Sequence, residues 1–432
     1  MPLPDVLADL EARGLLHTTT DRGALAARLA DGPLTAYYGC DPTADSLHVG
    51  NLVGLLILRR LQDAGHHAIG LAGGATGLVG DPSGRSEERN LLDAATLEAN
   101  AAAISTQIAR IVDPDGSAGT MFVDNRDWTA DLTLLDFLRT VGKHATVNQM
   151  VARESVRARM DSAQGISFTE FAYMLIQAHD YLWLHRTHGC ELQIGGSDQW
   201  GNIISGVDLV RRVEGRQVHA LCWPLLTAAD GTKLGKTTGA RVWLDPARTS
   251  PYQLFQHWMH VDDVDVEQHL LWFTLLTVSD VAVIMATHAE APHGRGAQRA
   301  LAREVTALVH GSEAAVSADA ASAVLFGADP TDAPAAVLEV VAGEVPTAEV
   351  SDLDRGGPSL VTALQASGLV SSTSEARRAL AQGGVYLNGQ RADADRPLTP
   401  GDFLHGRYAL LRRGKRSFAM ALAPGSSAEP GS

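Results

Sequence analysis

The apolar positions Leu52, Val53, Leu55, Leu56, Ile57 and Leu58 follow one another almost without a break, and the run closes on Arg59, Arg60, Gln62 and Asp63 before Gly65. That pattern predicts a helix from about Leu47 to Ala64 buried nearly all round, as a crossover packed on a sheet is. Leu34 to Tyr38, ending at Gly39, and His67 to Ala72 read as short strands on either side of it. Cys40 to Ser46, containing Asp41-Pro42, is a turn-rich loop. Strand, helix and strand in this order predict a unit of a parallel sheet, whose ligand crevice lies at the carboxyl ends of the strands.

A second helix opens at Ser167-Phe168-Thr169-Glu170, which has the form of a capping box, and runs to about His185. Tyr173, Gln177 and Asp180 stand at i, i+4 and i+7, so they share one face of a helix that also carries Phe171, Leu175, Ile176 and Leu182. Three aligned polar groups in that setting suggest a lined pocket. Gln193 to Asp198 reads as a strand, a glycine turn and a carboxylate. From Pro251 to about Phe326 the pattern is helical and alanine-rich. Gly327 to Pro358, broken by Pro330, Pro334 and Pro346, reads as a linker with one short helix near Ala335 to Ala342. Leu360 to Tyr386 gives two short helices and a strand, and Val385 to Gln390 a hairpin with Asn388-Gly389 at its turn.

The length of 432 residues suggests about two to four domains, and 45% hydrophobic with 20% charged residues is ordinary globular composition. A net charge of -15 argues against a chain-wide polyanion-binding surface, but the acidity is uneven. Residues 351–432 carry ten Lys and Arg against seven Asp and Glu, whereas residues 1–350 carry 25 against 43. Nucleic acid would therefore be received only locally and in a salt-dependent way. The N-terminus, with Asp5, Asp9 and Glu11, has no basic stretch followed by an apolar one, and no uncharged apolar run is long enough for a bilayer. Neither a secretory signal nor a membrane segment is expected. Cys40, Cys190 and Cys222 are widely separated, which supports neither a disulfide framework nor a zinc site and points to a reducing, cytoplasmic setting.

His48-Val49-Gly50-Asn51 opens the crossover helix just past a strand, where backbone N–H groups and the helix dipole favour an anion. An imidazole there can donate to a phosphate, and Gly50 lets a nucleotide approach the backbone; taken alone, the tetrapeptide reads better as a plain helix cap with an incidental histidine. Lys233-Leu234-Gly235-Lys236-Thr237 ends like a P-loop but has Asp230 where that motif requires glycine. What remains is two lysines three apart, suited to gripping pyrophosphate or simply solvated. Gly73, Gly74, Gly77 and Gly80 form no GxGxxG, and Asp81 after them suits a substrate ammonium or a turn before Pro82. Asp198 suits ribose hydroxyls. The other histidines, such as His66, His67, His179, His185 and His188, lack the spacing of a metal site and read as structural.

In order along the chain, Tyr38 to Asn51 is similar to an extended HIGH signature, Gly73 to Gly84 and Gln193 to Gly201 follow, and Lys233 to Thr237 stands in place of a KMSKS loop. Together these segments resemble the class I aminoacyl-tRNA synthetases, specifically the bacterial tyrosyl-tRNA synthetase family, over about Leu34 to Ala423. The resemblance implies an α/β fold with a Rossmann-like parallel-sheet catalytic domain over residues 1–228 and the lysine loop over 229–245. It further implies an α-helical anticodon-side domain over 246–326, a linker over 327–356, a small α+β S4-like RNA-binding domain over 357–423 and a disordered tail over 424–432.

The implied reaction joins tyrosine and ATP into tyrosyl-adenylate and pyrophosphate, then passes the tyrosyl group to the terminal adenosine of tRNA(Tyr). A homodimer is implied, with Mg²⁺ carried on ATP and no protein-held metal. By the resemblance, His48, Thr43 and Asn51 contact phosphate or ribose, and Lys233 and Lys236 stabilise the departing pyrophosphate. Gly39, Asp41, Gly50, Asp198, Gln199 and Lys236 serve ATP and the adenylate. Tyr37 and Asp180 bind the substrate hydroxyl, and Asp81, Tyr173 and Gln177 its ammonium. Arg377, Arg378, Arg412, Arg413, Lys415 and Arg416 meet tRNA phosphates. A carboxylate is already ionised at neutral pH, so this chemistry needs positioning and charge stabilisation rather than an acid–base pair.

Four positions depart from the family pattern: Asn51 replaces the last His of HIGH, Cys40 stands where phenylalanine is common, and Leu234-Gly235 replaces Met-Ser. The alternatives are a tryptophan-specific relative and an RNA-binding protein that keeps the fold without catalysis; His48, the two lysines and the tyrosine-pocket residues speak for activity.

Overall fold

The computed structural model describes residues 5–83, 92–113, 119–161, 165–225, 241–353 and 356–424. They fall into two compact units, Met1–Thr249 with His260–Val309, and Ser250–Met259 with His310–Ser432.

In the first unit, β1 (Thr18–Thr19), β2 (Thr35–Cys40), β3 (His67–Ala72), β4 (Thr120–Asp124), β5 (Cys190–Gly196) and β6 (His219–Trp223) form one sheet in the order β1-β6-β5-β2-β3-β4. Every pair is parallel except that of the two-residue edge strand β1. The crossover helix Val49–Asp63 joins β2 to β3, and its Leu52, Val53, Leu55, Leu56, Ile57 and Leu58 are fully buried, as the unbroken apolar run predicts. Gly54 in this helix is dictated by packing. A Cβ there would lie 2.5 Å from Cζ of Tyr38 and 2.7 Å from Cη2 of Trp223. The helices Phe168–His188 and Trp200–Glu214 share a core with Tyr37, Ile69 and Leu71 of the sheet. From β2 the chain adds β3 and β4 on one side and β5 and β6 on the other, so the strand order reverses between β2 and β5.

Ser167 caps the helix Phe168–His188 by accepting from the Glu170 N–H at 3.2 Å, and Gly189 ends it in the left-handed region with φ 62°. The Glu170 carboxylate is paired with Arg159 at 2.7 Å, and each residue is only 2% exposed.

Two expected boundaries are corrected. Residues 246–326 are not one helical domain: Val266–Phe273 and Val278–Glu290 belong to the first unit, Pro251–Met259 and Ser312–Leu325 to the second. The cause is a pair of buried guanidiniums. Arg13 donates to the carbonyls of Leu271 at 3.0 Å and Leu276 at 2.8 Å, and Arg60 to that of Thr274, so the carbonyls at the end of Val266–Phe273 are satisfied by the first unit's own residues. Asp9 lies 2.8 Å from Arg13 and 3.5 Å from Arg60, and burial with the charge of Arg13 lowers Arg60 to about 10. The stretch 327–356 contains the short helix expected near Ala335 to Ala342, and beyond it a strand that the linker reading did not include. It holds the helix Ala335–Glu344, with Pro334 at its N-cap and Pro346 beyond its end, and then β7 (Thr347–Glu349). The prolines mark the ends of an element rather than its absence.

The second unit's sheet combines β7 with β8 (Val385–Leu387), β9 (Gln390–Arg391), β10 (Tyr408–Arg413) and β11 (Ser417–Leu422) in the order β7-β11-β10-β8-β9. Val385 and Leu411 pack with Leu364 and Leu380 of the helices Leu360–Ala366 and Thr373–Ala381. Leu410 and Met420 pack with Val324 and Leu338 of Ser312–Leu325 and Ala335–Glu344. Asn388 and Gly389 turn the β8–β9 hairpin at φ 47° and 79°, the conformation that makes Asn-Gly a hairpin signal. Among the described residues no helix is long and apolar enough to cross a membrane.

Arg159→Met leaves the Glu170 carboxylate buried and unpaired, which should cost about 3–5 kcal/mol in urea unfolding. The double variant Arg159→Met/Glu170→Leu should recover most of that loss.

Candidate active site

A cavity of about 320 Å³ opens at the carboxyl ends of β2 and β5, where the strand order reverses. Crevices at such switch points are where open parallel sheets bind ligands. The structure gathers on this wall Tyr37, Gly39, Asp41, Thr43, His48, Gly50, Asn51, Asp81, Tyr173, Gln177, Asp180, Asp198 and Gln199. Lys233 and Lys236 lie outside the described residues.

One end of the cavity is built by β2, β5 and the helix Phe168–His188, whose Tyr173, Gln177 and Asp180 face it as their spacing predicts. Asp180 is buried and accepts from Nδ2 of Asn125 at 3.0 Å and Nε1 of Trp128 at 2.8 Å. Burial raises its carboxyl to about 7, and those two donors oppose the rise. Tyr37 is pushed well above its ordinary value, first by burial and then by the charge of Asp180. The Tyr37 hydroxyl, Oε1 of Gln177 and Oε1 of Gln193 are buried polar atoms with no hydrogen-bond partner, and all three residues line the cavity. Unpaired groups of this kind cost about 1–3 kcal/mol each, a cost that a polar ligand can remove.

The pocket floor is tied to the strand ends by a hydrogen-bonded chain. Asn125 donates to Oγ1 of Thr76 at 3.1 Å, Thr76 to Asp41 at 2.7 Å, and the Tyr173 hydroxyl also to Asp41 at 2.9 Å. Asp81 is held in a similar way: it accepts from Gln199 at 2.6 Å, from the Ser83 N–H at 2.9 Å and from Asn202 at 3.3 Å.

At the other end, His48 is both cap and cavity wall. Its Nδ1 accepts from the Gly50 N–H at 3.0 Å, and its own N–H donates to Oδ1 of Asn51 at 3.1 Å, completing a capping box. Burial and then the charge of Arg241 lower the imidazole to about 4, so it is neutral at pH 7. With Nδ1 accepting, the proton of the neutral ring resides on Nε2, which makes that atom a donor.

Sequence reasoning passed over Thr76, Asn125, Trp128, Gln193, Asn202 and Arg241. A glutamine between the buried apolar residues Leu192 and Ile194 and the polar run Asn125-Arg126-Asp127 directly after β4 were the available signals; Arg241 carried none. The six basic residues of the C-terminal section do not act alike. Arg377, Arg378, Lys415 and Arg416 are exposed. Arg412 lies over the Tyr386 ring at 3.9 Å. Arg413 is occupied within the unit, paired with Glu375 at 2.8 Å and donating to the Leu369 carbonyl at 3.0 Å. Among the described residues no three His, Cys, Asp or Glu side chains gather as a metal site.

A parallel sheet with its cavity at the switch point, a signature helix opening on that cavity and a polar pocket beside it define an α/β protein that binds a nucleotide and a small polar substrate together. Residues 29–327 match the family of tRNA synthetases class I (W and Y), and residues 338–421 match the Tyrosine--tRNA ligase SYY-like C-terminal domain. The chain belongs to the class I tRNA synthetases of this W and Y family. The tyrosine–tRNA ligase of Opitutus terrae is 49% identical over 419 residues, 96% of this chain and 99% of that protein. That of Kineococcus radiotolerans is 49% identical over 422 residues, 97% of this chain and 99% of its own. The solved C-terminally truncated mitochondrial tyrosyl-tRNA synthetase of Aspergillus nidulans superimposes with a TM-score of 0.68 at 32% identity, over 74% of this chain and 94% of that one.

The raised Asp180 carboxyl gives a signed pH dependence. Between about 4, where the unfolded chain loses this proton, and about 7, where the folded state does, folding is progressively penalised as pH rises. Asp180→Asn removes that penalty. Urea titrations at pH 5 and pH 8 should therefore show a smaller loss of stability for the variant than for the native chain.

Proposed function

We propose that this chain charges tRNA(Tyr) with L-tyrosine in two steps. The tyrosine carboxylate attacks the α-phosphorus of ATP, forming tyrosyl-adenylate as pyrophosphate leaves; a ribose hydroxyl of the tRNA's terminal adenosine then takes the tyrosyl group and AMP departs. The observation that carries the choice of amino acid is the unpaired Tyr37 hydroxyl buried beside Asp180 at the pocket end. A substrate phenol donates to the Asp180 carboxylate and accepts from Tyr37, satisfying both. Phenylalanine leaves the Tyr37 hydroxyl without a partner in a desolvated site and is rejected for that reason.

Gln177 and Tyr173, with Asp81 behind them, hold the substrate ammonium. The Nε2–H of His48, with Thr43 and Asn51, meets phosphate or ribose at the start of the crossover helix, where the helix dipole already favours an anion. Gly39, Asp41, Gly50, Asp198 and Gln199 line the adenylate's path, and Lys233 and Lys236 assist as pyrophosphate leaves. Mg²⁺ enters on the phosphates of ATP, whose oxygens supply the hard ligands it prefers.

The second unit's sheet and its two short helices act as an S4-like RNA-binding domain, with Arg377, Arg378, Lys415 and Arg416 toward tRNA phosphates and Arg412 held on Tyr386. The protein works as a cytoplasmic homodimer. The helix Leu134–Thr140 supports pairing of two copies: none of its residues is buried, and Leu134 and Leu135 are each 70% exposed. Apolar surface of that kind on a helix is what a partner covers.

Pyrophosphate exchange should proceed with tyrosine and stay at background with phenylalanine or tryptophan; exchange with tryptophan alone would overturn the specificity. Asp180→Ala should lower exchange with tyrosine by roughly 10- to 100-fold, the loss of a charged hydrogen bond. Sedimentation velocity should show a dimer for the native chain and a monomer for Leu134→Glu/Leu135→Glu.

A further inference from the structure

Among the described residues on the cavity wall, four carboxylates, those of Asp41, Asp81, Asp180 and Asp198, face a single permanently charged cation, Arg241. Nucleoside triphosphate brings several negative charges of its own, and among the described lining residues only Arg241 meets them with a positive one. His48 offers a donor but no charge, being neutral at pH 7.

The position of Arg241 is built rather than incidental. The Val49 N–H donates to the Val242 carbonyl at 3.1 Å and the Leu244 N–H to the Leu47 carbonyl at 2.8 Å, so Trp243 is bridged in register to His48. The Arg241 guanidinium lies 5.1 Å from the centre of the Trp243 ring. Arg248 holds the same ring at 4.6 Å and is itself anchored to Asp45 at 2.5 Å. Among the described residues no carboxylate pairs with Arg241, which leaves its guanidinium for a ligand as far as those residues go.

We propose that Arg241 is a catalytic residue of the activation step, its guanidinium holding the β- and γ-phosphates of ATP and the pyrophosphate they become. The proposal rests on the two-step reading above. As the tyrosine carboxylate oxygen bonds to the α-phosphorus, the bond from that phosphorus to the bridging oxygen breaks and its electron pair stays on pyrophosphate. No proton moves, and Arg241 keeps its own. The guanidinium therefore gains interaction as negative charge accumulates on the leaving group, which is what lowers a barrier. Its planar fork suits two phosphate oxygens at once, and the Trp243 ring limits the orientations it must give up.

The test uses the full chain with Arg241→Ala and Arg241→Lys. Rapid-quench measurement of adenylate formation from tyrosine and Mg-ATP is paired with the reverse reaction, in which enzyme-bound adenylate is titrated with inorganic pyrophosphate. Arg241→Ala should slow formation about 10- to 100-fold and raise the half-saturating pyrophosphate by a similar factor, with Arg241→Lys recovering part of both. The KM for tyrosine and the transfer of tyrosine from isolated enzyme-bound adenylate to tRNA should not change, because neither involves pyrophosphate. An Arg241→Ala enzyme whose pyrophosphate half-saturation stays within about twofold of the native value overturns the proposal, even if formation is slower. A native chain that forms no adenylate from tyrosine would instead overturn the activity on which the proposal rests.

Discussion

A carboxylate can be buried at the floor of a cavity only if donors meet it there, and in this protein Asp180 imposes that condition on the whole sheet. Asn125 and Trp128, which satisfy it, stand just past β4. Asn125 then leans on Thr76 past β3, and Thr76 on Asp41 past β2, which Tyr173 reaches from the same helix that carries Asp180. The carboxyl ends of three neighbouring strands are thus tied to one helix through polar groups. Apolar packing places the strands; this chain fixes their ends relative to the pocket. Any broken link leaves a buried donor or acceptor at a cost of about 1–3 kcal/mol, so substrate contacts and folding share the same bonds.

The signature helix follows the same economy. Helix caps and ligand contacts are often weighed as competing explanations for a histidine, yet His48 serves the cap through Nδ1 and leaves Nε2 to donate. Asn51, the departure from the family's second histidine, supplies the acceptor that closes the capping box on the His48 N–H. An asparagine at this position therefore keeps the local geometry intact, with a cap worth about 1 kcal/mol.

Much of this was legible in the sequence because it is local. The crossover helix, β3 and the Asn388-Gly389 turn depend on neighbours within a few residues, and the alignment of Tyr173, Gln177 and Asp180 follows from helical spacing alone. What escaped depends on distant partners. Alanine-rich periodicity made residues 246–326 look like one domain, since nothing near Leu271 reveals that Arg13 will take its carbonyl. The prolines of 327–356 looked like breaks because the pairing of β7 with β11 spans some seventy residues. Asp81 could be identified as a turn carboxylate, but not as one fastened by Gln199 and Asn202. Arg413 looked as free as Lys415 until Glu375 was found beside it.

The division of the helical stretch between the two units has a consequence for the order in which the protein is made. As the chain leaves the ribosome, Arg13 and Arg60 emerge long before Leu271, Thr274 and Leu276 supply the carbonyls they will bury against. The helix Pro251–Met259 emerges early too, yet its Gln256 bonds to Ser322, in a helix made later. Neither unit can close in the order of its residues. The nascent first unit must wait, with two guanidiniums whose carbonyl partners are still to come and an unfinished flank, until about residue 309 has cleared the exit tunnel.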